Sequence, residues 1–170
     1  FDARDSLAVG VEENEDASEC LKGLAWKPEP FTVQLEAARD DRGDWLVRFP
    51  SAKPNGDARN DRVAMEWYPA KDKAGQPIHA PAVGRMIAKS LQLRGIHAFM
   101  LQLPYYGARR GPGGRPKGID LLQALQQSIA DARRAKDAVA AIPLVEQDRI
   151  SLQGTSLGGF VTATTAGLDQ

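Results

Sequence analysis

One cysteine, Cys20, stands in the whole chain, which rules out an internal disulfide and leaves the redox compartment open. Excess charge is missing too. The 22 Lys and Arg match the 22 Asp and Glu, so no net charge steers the chain to nucleic acid or an anionic membrane. No apolar run is long enough to span a membrane. The Gly-rich stretch from Arg109 to Gly118 lacks the Gly-Lys-Ser/Thr ending of a phosphate-binding loop, which leaves nucleotide binding without support. The acidic run Glu12 to Asp16 lacks the turn-forming spacing of a metal loop, so it reads as a solvated face. Histidine is scarce: His79 and His97 are the only two. The first residue is Phe1 rather than Met, which fits either a removed leader, hence export, or a simple truncation of a soluble protein.

With 170 residues, 42% of them hydrophobic, the chain is long enough for one globular domain. Its chemistry concentrates in Arg149 to Phe160. Ile150 to Leu152 predicts a buried strand, Gly154-x-Ser156-x-Gly158 follows, and a helical segment begins at Leu157. This is a nucleophile elbow in its strand–turn–helix setting. Such a turn brings the positions two before and two after the serine together, so Gly154 and Gly158 leave no room for side chains. Ser156 is expected in a strained conformation at the tip, its hydroxyl exposed, with the Leu157 amide aimed at a developing oxyanion. A Gly-rich turn that only packs closely would use the same glycines; the serine at the tip favours the elbow.

The remaining pattern is of mixed type. Residues 1–30 read as an extended polar arm with a short helix around Ala17 to Leu24, ended by Pro28 and Pro30. Strands are expected at 31–36, 45–49 and 62–68, where apolar and polar residues alternate. Asp57 and Asp61, in the loop between the last two, read as turn residues rather than an acid–base pair. Ala80 to Val83 begins a buried strand, but at Gly84 a helical pattern takes over at once and runs to Arg94, with Gly95 as its C-cap. Residues 96–103 are a nearly all-apolar strand, as expected where helices cover both faces. Tyr105 and Tyr106 leave its carboxyl end, where open α/β sheets place ligands; they either line a substrate pocket or anchor the loop. Asp120 and Gln123 suggest a capping box for a helix with Leu121, Leu125, Ala132, Ala135 and Val139 on one stripe, stopping before Pro143. Phe160 and Val161 are expected near the sheet, on a last helix that ends about Gly167.

Asp148 to Gly159 resembles the serine esterases and peptidases of the α/β-hydrolase superfamily. Leu103 to Arg109 resembles the loop after the fourth strand in bacterial hydrolases related to the abhydrolase 18 group and, more distantly, in acetyl xylan esterases. The resemblance covers residues 60 to 170 or so. It implies an α/β-hydrolase fold, a three-layer sandwich with a mostly parallel central sheet and an antiparallel start. It also implies Ser156 as nucleophile, Leu157 as backbone oxyanion donor, a small-molecule ester as substrate, and no cofactor or metal. The family's acid and histidine follow the nucleophile in chain order, whereas both histidines here precede Ser156 and fourteen residues come after it. By that order His97 and His79 are structural. Residues 31–170 therefore read as the N-terminal half of such a domain, following the arm at 1–30. The strand before the Val83–Gly84 join is short for the family pattern, and the missing His-Gly-type oxyanion loop and missing base suit an alternative: a non-catalytic, hydrolase-like interaction module.

Overall fold

A computed structural model describes residues 1–7, 15, 19, 22–38, 43–78, 80–83, 88–114 and 116–168, with the backbone alone described at 80–83. The elements are β1 (Asp2–Arg4), β2 (Pro30–Thr32), β3 (Gln34–Ala37), β4 (Trp45–Pro50), β5 (Arg62–Tyr68), β6 (Ala80–Val83), α1 (Ala88–Gln92), β7 (His97–Gln102), a 3-10 turn (Gly107–Arg109), α2 (Leu121–Ala140), β8 (Val145–Ile150) and α3 (Leu157–Gly167). The acidic run except Glu15, half of the expected helix at 17–24, Cys20, His79 and the Val83–Gly84 join lie outside the described residues. Among the described residues no helix is long and apolar enough to cross a membrane.

Six strands form the main sheet in the order β3-β4-β5-β7-β6-β8, and β1 pairs with β2 in a separate ribbon. The expected strand at 31–36 is split at Val33: β2 serves the ribbon and β3 the main sheet. The pairings β3–β4, β4–β5 and β5–β7 are antiparallel, while β6–β7 and β6–β8 are parallel. Among the described residues the sheet is thus mixed, an antiparallel start followed by two parallel pairings. A parallel pair needs a long crossover, and among the described residues of the main sheet the β6–β7 and β7–β8 connections carry the helices α1 and α2.

Alternation along β5 and β7 distributes the core. Val63, Met65, Trp67 and Phe99 pack with Ala135, Ala138 and Val139 of α2 on one face. Tyr68 and Ala98 pack with Ala88 and Leu91 of α1 on the other. Helices therefore cover both sides of the sheet, and α3 joins the α2 side through Val161 against Ile129 and Ala132. Trp67 and Phe99 stack with ring centroids 5.5 Å apart. His97 lies fully buried beside them. Its Nδ1 accepts from the Ala70 amide (2.8 Å) and from Trp67 Nε1 (3.2 Å), so Nε2 carries the hydrogen and donates toward the carbonyls of Ile78 (2.8 Å) and Leu144 (3.0 Å). A ring so committed ties strands together and is not a general base for the elbow.

The α2 helix starts where its cap predicts, with the Gln123 amide donating to Asp120 Oδ1 at 3.1 Å. Its expected apolar stripe is only partly right, because Leu121 is 68% exposed. From Gln127 onward the buried surface is instead strongly polar. Asp131 accepts from Ser51 Oγ (2.5 Å) and pairs with Arg109 (2.7 Å), both side chains being fully buried. Burial pushes the Asp131 carboxyl above the usual aspartate range, with Arg109 and the Ser51 hydroxyl opposing that shift. Arg134 forms a two-pronged pair with Asp5 (2.8 and 2.5 Å) and lies over the Phe31 ring at 4.9 Å. Ser6 donates through its amide and hydroxyl to Asp137 (2.9 and 2.6 Å). Residues 1–7 are accordingly extended and docked on α2 rather than free in solvent.

A buried pair gains little over an apolar replacement, yet losing one partner strands the other charge. Asp131→Ala in the full-length protein is expected to cost about 3–5 kcal/mol in urea denaturation. Combining it with Arg109→Met should cost clearly less than the sum of the two single changes. Simple additivity would mean that the pair is not coupled as drawn.

Candidate active site

The strand leading to the elbow differs from expectation in place and burial. Its ladder runs over Val145–Ile150 and stops before Leu152, which is 47% exposed. The reason is topological: among the described residues β8 is the outermost strand, paired on one side only, with Glu146 half-buried and Gln147, Asp148 and Arg149 exposed. Residues 151–155 then run without a ladder to the turn.

That turn is defined by its dihedrals. Ser156 has φ 55° and ψ −122°, and the Gly158 amide donates to the Thr155 carbonyl at 3.0 Å. A four-residue turn with its first central position near about +60° and −120° is type II′, whose first central residue is normally glycine. Ser156 occupies a position where a Cβ is strained by about 1–3 kcal/mol. The Ser156 side chain is exposed and makes no capping bond to α3. Directly after it, Leu157 opens the helix; as the first helical residue its amide has no intrahelical acceptor, and none elsewhere among the described residues takes it.

The two glycines are not equivalent. A Cβ on Gly154 would lie 2.0 Å from the Gly158 carbonyl oxygen and 2.6 Å from Thr162 Oγ1, whereas a Cβ on Gly158 would meet nothing within 4 Å. The expectation that neither position has room for a side chain is therefore corrected for Gly158. The close approach is the Gly158 carbonyl reaching toward Gly154, not the reverse. Phe160 is corrected as well: it is 54% exposed, while Val161 is buried against α2.

Ser156 and Leu157 open onto a cleft of about 1170 Å³ that also takes in Tyr106, Gln102, Glu66 and Tyr68. The two tyrosines after β7 part company. Tyr106 lines this cleft and is 51% exposed. Tyr105 is turned away: its hydroxyl accepts from Asn55 Nδ2 (3.1 Å) and its amide donates to Asn60 Oδ1 (2.6 Å), with φ at 66°. Asp57 and Asp61 serve their loop, accepting from the amides of Arg59 (2.9 Å) and of Asn55 (2.7 Å). Sequence reasoning passed over Glu66 and Gln102, although each is a polar residue set among apolar neighbours of its strand, the signal by which they stand out.

No protein-family model matches the chain, and no curated protein matches it. Two acetyl xylan esterases are among the solved structures that share its fold. Acetyl xylan esterase from Paenibacillus sp. R4 is 20% identical with a TM-score of 0.60, over 95% of this chain and 58% of that one. Acetyl xylan esterase 1 from Thermoanaerobacterium sp. JW/SL YS485 is 14% identical with a TM-score of 0.56, over 96% of this chain and 57% of that one. The chain shares the fold of these two neighbours and spans less than three fifths of either.

If Ser156 is strained as its dihedrals indicate, removing its Cβ should stabilise the protein. Ser156→Gly is expected to unfold with at least about 1 kcal/mol more stability than Ser156→Ala, both lacking the hydroxyl. Equal stability, or a less stable glycine variant, would contradict the type II′ assignment.

Proposed function

We propose that this chain carries the nucleophile of a serine hydrolase that cleaves carboxylic esters. The observation that supports this best is Ser156 at φ 55° and ψ −122°, exposed at the mouth of a cleft, where a fold without use for a nucleophile would place glycine. Ser156 Oγ attacks the ester carbonyl while its proton passes to a base. The tetrahedral oxyanion accepts from the Leu157 N–H, at the N-terminus of α3, where the helix dipole favours negative charge. Collapse expels the alcohol with the proton and leaves an acyl group on Ser156. Water then attacks that acyl group, releasing the carboxylic acid and the free serine.

The base has to come from elsewhere in the protein. Among the described residues no histidine lines the cleft, and His97 is held in the core by both ring nitrogens. We place the acid and the histidine of the triad outside the described residues. The two acetyl xylan esterases with this fold incline us toward small esters, acetyl esters among them, bound with Tyr106 in the cleft wall. No cofactor or metal enters this reading.

Reacting the full-length protein with a fluorophosphonate and mapping the adduct tests it. Labelling at Ser156, lost in Ser156→Ala together with p-nitrophenyl acetate hydrolysis, is the expected result. An unlabelled Ser156 in an intact protein would favour a non-catalytic module that keeps the fold for contact with a partner.

A further inference from the structure

Glu66 and Gln102 are nearly fully buried, at 3% and 7% exposure, on neighbouring strands whose other inward residues are mostly apolar. Nothing in the core requires polar groups there, and burying them is costly unless each is satisfied. Their bonds lead outward to one place. Glu66 accepts from Tyr68 Oη (3.2 Å) and from Gln102 Nε2 (2.8 Å); Gln102 Oε1 then accepts from the Ala108 amide (2.7 Å). With Ala108 presenting an N–H and Glu66 an acceptor, the amide of Gln102 has one orientation only. The turn is pressed against this side chain: Gly107 has φ 52°, and a Cβ there would lie 2.5 Å from Gln102 Cδ.

We propose that Gln102, oriented by Glu66, is a positioning residue that fixes the Tyr106–Ala108 turn and thereby sets how the cleft grips the acyl part of its substrate. This rests on the ester-hydrolase reading above. The turn is also pinned by Asn60 at the Tyr105 amide, by Asp131 and the Gln102 carbonyl at Arg109, and by the Leu103 carbonyl at the Tyr106 amide, so Ala108 is the point where a side chain of the cleft takes hold of it. Tyr106 is left to present its ring to the substrate. A wall that touches substrate equally in ground and transition states changes KM and leaves kcat alone.

The test uses the full-length protein, with p-nitrophenyl butyrate as substrate and amide hydrogen exchange as a readout independent of turnover. Gln102→Met keeps the volume but removes the acceptor for Ala108. Exchange at the Ala108 amide should accelerate about tenfold and KM rise about tenfold, the loss of one hydrogen bond, with kcat within about twofold. Glu66→Gln, which can still accept from Gln102, should recover most of the KM that Glu66→Leu loses. Tyr106→Ala, at an exposed site, should fold normally and raise KM on its own, and adding Gln102→Met to it should raise KM no further. Unchanged Ala108 exchange in Gln102→Met overturns the clamp, as does faster exchange with KM unmoved. Failure of Ser156 to react with fluorophosphonate in the unmutated protein instead overturns the hydrolase reading, and with it any role for the clamp in catalysis.

Discussion

The approach of the Gly158 carbonyl to Gly154 is the constraint on which the site depends. It lets the chain reverse from β8 into α3 within one four-residue turn, and it forces Ser156 to the tip of that turn at φ 55°. A residue with a side chain at 154 would have to displace backbone, because the nearest atom is a carbonyl oxygen rather than the flexible end of a side chain. Space alone decides this glycine, since its φ does not fall in the left-handed region. The helix that begins at the turn contributes a free amide at Leu157 and is anchored by Val161. Strain, exposure and an oriented donor therefore arise from one local geometry.

Holding a strained turn requires a rigid surrounding, and the chain supplies it in an uncommon way. The α2 helix, against which α3 packs, is fixed on its other sides by ion pairs and hydroxyl bonds to residues 5, 6, 51 and 109 rather than by a purely apolar face. Such a layer gains little net stability, but it allows few alternative packings, because each misplaced charge would be buried alone. Arg109 belongs at once to this layer and to the turn that carries Tyr106. Helix packing and the wall of the cleft are thus fixed by the same side chain.

Much of the fold was legible. Alternation located β5 over its full length, Asp120 marked the start of α2, and Gly95, at φ 74°, marks the end of α1. What the pattern missed depended on neighbours in space. Val33 interrupts one alternating run because its two halves pair in different sheets, and local alternation carries no sign of that. Leu121 and Phe160 keep helical spacing but are exposed, because spacing along a helix does not say which of its turns meets a neighbour. Around the site, G-x-S-x-G was enough to identify Ser156 and Leu157 as candidates, while the inequivalence of Gly154 and Gly158 needed the path of the backbone. Tyr105 and Tyr106 are identical in type and adjacent in sequence; only the bonds from Asn55 and Asn60 separate the anchor from the cleft residue.

The central claim is that a one-sided backbone contact presents Ser156 for attack. The most direct measurement compares the rate of fluorophosphonate labelling in Gly154→Ala and Gly158→Ala variants of the full-length protein, each checked for folding by circular dichroism. The account predicts that Gly158→Ala labels at close to the unmutated rate, while Gly154→Ala loses labelling by about a hundredfold or more, as misplacement of a reacting group by an ångström does. Equal rates in the two variants, or a greater loss at Gly158, would contradict it.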